Sequence, residues 1–136
     1  MICFSKSILA QYQIGHYTTI FQDPDRLNRE IETKIYYPAE IVEDTILIGQ
    51  GQFPVIVFGH GFLMDWSSYQ NLWEKFVPNG YIMVFPTTER GLLSTDHQQF
   101  GWDLQFLVNQ IQNEGFNSNS PIYNSVGNNT ALMGHS

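Results

Sequence analysis

Residues 53–62 read FPVIVFGHGF, an unbroken apolar run that ends in Gly-His-Gly-Phe. A half-exposed strand alternates apolar and polar residues, whereas a strand covered on both faces is apolar throughout. Residues 53–58 therefore predict a buried strand of the kind found in parallel sheets. The glycines that follow predict a tight turn at the carboxyl end of this strand, which is where α/β sheets place their ligand sites.

The sequence after this strand switches to a helical pattern and back. Residues 66–77 carry apolar side chains at helical spacing behind Asp65, a typical N-cap residue. Asn-Gly at 79–80 predicts the end of this helix. A second apolar run over 81–85 predicts another buried strand, which should stop at Pro86.

A second helix and a third strand complete the pattern. Asp96, followed by Gln99, has the form of a capping box. The apolar residues behind it form one helical stripe: Phe100, Leu104, Leu107, Val108 and Ile111. After a polar loop over 117–129, Ala-Leu-Met at 131–133 predicts a third buried strand. The order strand, helix, strand, helix, strand predicts a parallel sheet with helices on both faces.

The N-terminal part of the sequence predicts an antiparallel strand pair in front of this β-α-β-α-β unit. Residues 13–21 and 30–37 are rich in β-forming residues and are separated by Asp-Pro-Asp at 23–25, a turn signal. Pro38 predicts the end of the second strand. Residues 39–52 predict a polar connector that ends in a flexible, glycine-containing loop.

Composition narrows the function classes. With 136 residues, 43% of them hydrophobic, the chain can bury an ordinary core as one domain or part of one. Asp and Glu outnumber Lys and Arg by 13 to 6, which argues against a nucleic-acid partner. No apolar run reaches the roughly 18 to 20 residues of a membrane span. Neither metal-ligand spacing nor a phosphate-binding glycine motif stands out, so no metal and no cofactor is predicted.

The first residues, MICFSKSILA, have one lysine and a short apolar patch. They are shorter than the about 15 to 30 residues of a secretory signal peptide. Residues 1–12 are therefore interpreted either as a ragged N-terminus or as the remnant of an export signal. Localisation stays open between export and the cytoplasm. Residues 13–136 are interpreted as a partial α/β domain whose C-terminal half is absent.

Two motifs lie at the carboxyl ends of predicted strands. His-Gly-Phe at 60–62 follows the first buried strand, where backbone N–H groups can turn toward a developing oxyanion. Gly-His-Ser at 134–136 follows the third and matches the first three positions of G-x-S-x-G, the turn that presents a nucleophilic serine. Because the turn must hold the serine hydroxyl clear of the following helix, a glycine two positions before Ser136 fits this role.

The other polar and aromatic residues are given structural roles. His60 is expected to support its loop by hydrogen bonds, and His135 to point away from the serine. Asp103 and Glu114 are expected to be solvated charges on a helix face. The aromatic residues at helical spacing are expected in the core, apart from the residues predicted at the mouth of the site: Phe62, Leu63 and Trp66.

These segments resemble the N-terminal half of an α/β-hydrolase. The similar branch contains dienelactone hydrolases, chlorophyllases, platelet-activating-factor acetylhydrolases and cutinase-like polyester hydrolases. The resemblance rests on the order of four segments: ETKIYYPA at 32–39, FPVIVFGHG at 53–61, NGYIMVFP at 79–86, and SPIY at 120–123 leading to ALMGHS at 131–136. It covers nearly the whole chain from about residue 13.

The resemblance implies a serine hydrolase that cleaves carboxylic esters or related acyl substrates through a Ser-His-Asp triad. It implies Ser136 as the nucleophile and the Phe62 N–H as one oxyanion donor. The remaining site residues are expected to bind substrate or support the site: Gly61, Leu63 and Trp66 in the first role, His60 and Gly134 in the second.

In this fold the second oxyanion donor and the triad Asp and His follow the serine in chain order. We therefore expect them beyond residue 136, and expect residues 1–136 alone to be inactive. The partner would be a small ester, but the sequence does not distinguish a lipid, polyester, lactone or other ester. The alternative is a non-catalytic α/β fragment that self-associates through its open sheet edge. A nucleotide-binding domain is a weaker alternative because its glycine motifs are missing.

Overall fold

The computed structural model describes residues 11–135. Its six strands and two α-helices follow the chain in this order: β1 (Gln13–Asp23), β2 (Arg29–Val42), β3 (Thr45–Ile48), β4 (Phe53–Gly59), α1 (Gln70–Phe76), β5 (Ile82–Pro86), α2 (His97–Glu114) and β6 (Val126–Gly134). Short 3-10 turns flank α1 at Trp66–Tyr69 and Val77–Asn79. None of the helices described is long and apolar enough to cross a membrane.

All the strands belong to one mixed sheet in the order β1-β2-β5-β4-β6, with β3 paired to β2. The β1–β2, β2–β3 and β2–β5 pairs are antiparallel, and the β4–β5 and β4–β6 pairs are parallel. An antiparallel pair followed by β-α-β-α-β confirms the predicted fold class. Because β4, β5 and β6 are parallel, their carboxyl ends meet at one edge of the sheet.

The helices cover opposite faces of the sheet, as the side-chain alternation of β4 and β5 requires. Val55 and Val57 of β4 lie in the same buried cluster as Leu107 and Ile111 of α2. The intervening Ile56 and its neighbours lie in a second cluster with α1, whose largest members are aromatic: Tyr36, Phe58, Tyr69, Trp73 and Phe85. The two-sided apolar strands predicted from the sequence thus form the middle layer of the fold.

Both predicted caps form, Asp65 at the start of the 3-10 turn Trp66–Tyr69 that precedes α1 and Asp96 at the start of α2. The Asp65 carboxylate accepts a hydrogen bond from Ser67 N–H at 2.7 Å, and the Asp96 carboxylate accepts from the N–H groups of residues 98 and 99. The second half of the predicted capping box does not form. Asp96 N–H donates to Glu89 Oε2 at 2.7 Å, while the Gln99 side chain accepts from Arg26.

The predicted end of the second strand at Pro38 is wrong, because β2 continues to Val42. The Pro38 carbonyl accepts from Gly49 N–H at 2.8 Å, on the side away from β1. The N and C=O of a strand residue point the same way, so the missing N–H of proline costs no bond in the β1–β2 ladder. Beyond it, Glu43 and Asp44 have φ of 48° and 64° and form a tight turn into β3, so the predicted connector is a hairpin.

The third parallel strand is longer and more exposed than the sequence predicts. It starts at Val126, where a polar loop is predicted, because Thr130 and its neighbours pair with β4. Leu132 is 57% exposed and Met133 is 38% exposed, so the prediction of a buried strand is wrong for the described structure. Within residues 11–135, β4 is the only strand that pairs with β6.

Candidate active site

The carboxyl ends of β4 and β6 lie side by side. Gly59 is in register with Gly134, and His135 N–H donates to the Gly59 carbonyl at 3.0 Å. The His-Gly-Phe motif and residues 134–135 of the Gly-His-Ser motif therefore lie at the same edge of the sheet. Ser136 itself lies outside the described residues, so its role as the nucleophile stays a prediction.

The loop of residues 60–64 that follows β4 uses some of its backbone N–H groups in local hydrogen bonds and leaves others free, among them that of Phe62. Gly61 N–H donates to the hydroxyl of Tyr69 at 2.7 Å, and Met64 N–H donates to the Gly61 carbonyl at 3.0 Å. The Phe62 N–H has no acceptor in the described part of the chain. A free backbone N–H at the end of a parallel strand is the kind of donor that an oxyanion requires.

His60 lies beneath this loop and is buried. Its Nδ1 is 3.0 Å from the Gly61 carbonyl oxygen and its Nε2 is 2.7 Å from the Thr88 carbonyl oxygen. The ring also packs against Phe100, with the ring centroids 4.5 Å apart. Both ring nitrogens face acceptors, which leaves no free nitrogen to act as a base. The supporting role of His60 in the site stays a prediction.

Tyr69 is a polar contact of the site that sequence reasoning missed. It is predicted as a core aromatic residue, and its ring is buried beside Phe58. Its hydroxyl, however, contacts Gly61 N–H and lies 3.1 Å from His135 Nδ1. The helical spacing of the aromatic residues predicted that the Tyr69 ring lies in the core. It did not predict the contacts of the hydroxyl.

The three residues predicted at the mouth of the site differ in exposure. Phe62 is 54% exposed and Leu63 is 52% exposed, so both present apolar surface next to the motif. Trp66 is half-buried and packs against Tyr36 and Trp73, with centroid distances of 6.2 and 5.7 Å. Substrate binding by all three residues stays a prediction.

The expectation that Asp103 is a solvated charge is wrong. Its side chain is 0% exposed and lies 2.9 Å from Arg29 Nε and 2.7 Å from Arg26 Nη2. The Thr88 hydroxyl donates to the same carboxylate at 2.6 Å. Because the Thr88 carbonyl faces His60, this buried ion cluster borders the support of the loop. The signal in the sequence for this ion cluster was the presence of Arg26 and Arg29 in a chain with few positive charges.

No group of three or more His, Cys, Asp or Glu side chains within residues 11–135 could hold a metal ion. The described residues at this edge of the sheet provide backbone donors and a histidine that is held by two carbonyl groups.

A sequence model of the family described as chlorophyllase matches residues 8–136. No curated protein matches the sequence significantly.

Solved structures show the same fold at low sequence identity. Brefeldin A esterase, a bacterial homologue of human hormone-sensitive lipase, is 13% identical with a TM-score of 0.61; the match covers 100% of this chain and 35% of that one. Ferulic acid esterase from Streptomyces cinnamoneus is 13% identical with a TM-score of 0.60, covering 96% and 54%. S-formylglutathione hydrolase from Staphylococcus aureus is 11% identical with a TM-score of 0.54, covering 93% and 50%. The chain thus spans about half of these structures or less.

Proposed function

Because the chain belongs to the chlorophyllase family of α/β-hydrolases, an ester-hydrolase family, we propose that it is the N-terminal part of a serine esterase. Residues 13–136 would be one part of a single catalytic domain, preceded by a non-catalytic N-terminus over 1–12. The observation that carries the proposal is the register of Gly59 with Gly134. It brings a free backbone donor and residues 134–135 of the Gly-His-Ser motif to one edge of the sheet.

In the proposed reaction, Ser136 Oγ attacks the carbonyl carbon of the ester while a histidine from the later sequence takes its proton. The carbonyl oxygen becomes an oxyanion that accepts from Phe62 N–H and from the N–H of the residue after Ser136. Cleavage of the carbon–oxygen bond releases the alcohol, which takes the proton from the histidine. Water then adds to the acyl-enzyme, the bond between Ser136 Oγ and the acyl carbon breaks, and the carboxylic acid leaves as the serine is regenerated. A later aspartate orients the histidine.

The substrate class that fits the described edge is a neutral acyl ester. Phe62 and Leu63 present apolar surface there, and the formal net charge of −7 disfavours an anionic substrate. The apolar surface would contact the acyl chain, with Gly61 and Trp66 as the further proposed lining residues. His60 and Gly134 would support the two motifs.

The proposal is tested by measuring hydrolysis of a p-nitrophenyl ester by the complete esterase, meaning the protein that contains residues 1–136 together with the later triad residues. Ser136→Ala is expected to lower kcat by at least about 10³-fold, because loss of a triad nucleophile leaves only binding and oxyanion stabilisation. Ser118→Ala, in an exposed loop, is the matched control and should retain full activity. Turnover that survives Ser136→Ala would refute the proposal.

The exposure of β6 favours a second candidate function. Leu132 and Met133 are exposed on a strand whose described pairing is with β4 alone. Such an edge can pair with a second chain. In this alternative, residues 1–136 are a non-catalytic α/β unit that self-associates through β6. Ser136→Ala would then leave self-association unchanged, and no ester hydrolysis would depend on Ser136.

A further inference from the structure

We infer that Tyr69 is a positioning residue of the active site. Its hydroxyl fastens the loop of residues 60–64 to His135 and thereby sets the position of the Phe62 N–H relative to Ser136. The inference rests on the proposed esterase function and adds to it a residue that touches neither the substrate nor the reacting atoms.

The hydroxyl of Tyr69 has polar contacts with both motifs. It accepts from Gly61 N–H at 2.7 Å and lies 3.1 Å from His135 Nδ1 and 3.4 Å from Met64 Sδ. The hydroxyl has one proton to donate, and an imidazole nitrogen is a stronger acceptor than a thioether sulfur. The hydroxyl donates to His135 Nδ1 or accepts from it, according to the tautomer of the ring, and in both cases Tyr69 links the N–H before Phe62 to the residue before Ser136.

The link has little freedom to adjust. Tyr69 is 6% exposed, and its ring lies 4.6 Å from that of Phe58, which fixes the direction of the hydroxyl. A Cβ on Gly61 would lie 2.7 Å from His135 Nδ1 and 3.3 Å from Tyr69 Oη. Both distances are too short for an added carbon to be accommodated freely. The loop of residues 60–64 and His135 are therefore closely packed at this point.

A role as a simple core residue does not require these contacts. Tyr36 and Tyr37 are similarly buried, at 5% and 7% exposed, yet their hydroxyls donate to no group among residues 11–135. Tyr69 differs because its hydroxyl lies between the two segments that carry the reaction. A displacement of about 1 Å at such a point can lower the rate by about 10²-fold.

Tyr69→Phe in the complete chain isolates the hydroxyl, because the ring and its packing remain. We expect kcat to fall roughly tenfold, the effect of one positioning hydrogen bond, with KM within about twofold of wild type. Affinity for a boronic acid, which forms a tetrahedral adduct on the serine, should fall by the same factor as kcat. Titration with a fluorophosphonate gives the concentration of active enzyme.

Tyr12→Phe is the matched control. The Tyr12 hydroxyl also donates a single hydrogen bond, to the Gln50 carbonyl at 3.2 Å, away from the two motifs. Its removal should leave kcat and boronate affinity unchanged. His135→Ala removes the imidazole that the Tyr69 hydroxyl contacts. In this background, Tyr69→Phe should lower kcat by a smaller factor than it does in the wild type.

The outcomes separate this inference from the proposed function. If Ser136→Ala abolishes turnover while Tyr69→Phe matches Tyr12→Phe in kcat and boronate affinity, the inference is wrong and the esterase function stands. A fall in kcat with a matching rise in KM and loss of thermal stability would also overturn it, since that pattern marks general loosening. Absence of Ser136-dependent turnover in the wild type would refute both.

Discussion

The carboxylate of Asp103 is held inside the protein by donors from other segments of the chain. Arg29 contacts both of its oxygens at 2.9 Å, and Thr88 and Arg26 supply further contacts at 2.6 and 2.7 Å. Burial raises the pKa of this carboxyl, but the hydrogen bonds from Arg29 and Thr88 and the ion pair with Arg26 lower it by more. The pKa of Asp103 therefore lies below its ordinary value.

A lowered pKa makes the contribution of Asp103 to stability depend on pH. The stabilisation is fully present above the ordinary Asp pKa of about 3.9 and is lost as the pH falls through the lower value of the folded state. Asp103→Asn should lower the free energy of unfolding by about 2 to 3 kcal/mol at pH 7, because Arg26 and Arg29 each lose one of two charged partners and keep only Asp23 and Glu89. The measurement is denaturant unfolding at pH 7 and pH 3.

The gap between wild type and Asp103→Asn should narrow toward pH 3. Glu114→Gln, on the same helix but partly exposed, is the control and should change stability by less than about 0.5 kcal/mol at either pH. An equal gap at both pH values would show that the carboxylate charge is not what the arginines stabilise.

At the scale of elements, the β2–β3 hairpin is held by a turn whose residues do not favour its backbone. Glu43 and Asp44 both have positive φ, in the region that Asn and Gly adopt most readily. The double substitution Glu43→Asn/Asp44→Gly should therefore raise the free energy of unfolding by about 0.5 to 1 kcal/mol. Thermal and denaturant unfolding provide the measurement.

The control for this gain is Asp25→Gly, in the 3-10 turn Pro24–Arg26, where φ is not positive. Glycine there adds freedom to the unfolded chain without relieving strain, so stability should fall slightly. If the hairpin variant is also destabilised, the positive φ of Glu43 and Asp44 is not a source of strain in the folded protein.

The sequence could predict those elements that carry a signal in their own residues. The strands β4 and β5 and the helix caps carry local signals, namely two-sided apolar runs and side chains that satisfy the N–H groups of the first turn. The β3 hairpin has none, because Glu-Asp is not a typical hairpin turn and the apolar side chains of β3 are mostly exposed. The exposure of β6 depends on which elements lie beside it, which its own residues do not encode.

The candidate site could be predicted only in part, for a related reason. Its location follows from the topology, since parallel strands bring their carboxyl ends to one edge. The contacts within the site do not follow from the topology. Arg29 and Asp103 are 74 positions apart, and Tyr69 and His135 are 66 apart, so neither pair leaves a spacing pattern in the sequence.

At the scale of the whole molecule, β6 combines two features that affect association in opposite ways. Leu132 and Met133 expose apolar surface on a strand with one described neighbour, which favours pairing with a second chain. The net charge of −7 on a chain of 136 residues opposes it. Salt shortens the range of this repulsion, to about 8 Å at physiological ionic strength, but does not weaken apolar contact.

A protein of residues 1–136 alone should therefore associate more strongly as salt is raised, and should hydrolyse no p-nitrophenyl ester above background. Light scattering at 0.05 and 0.5 M NaCl measures the first, and the ester assay measures the second. Leu132→Lys places a charge on the exposed face of β6 and should yield a monomer that is equally inactive. A wild-type monomer at both salt concentrations would show that β6 does not mediate association. Turnover lost in Ser136→Ala would show that residues 1–136 contain a complete catalytic apparatus, contrary to the proposed placement of the triad.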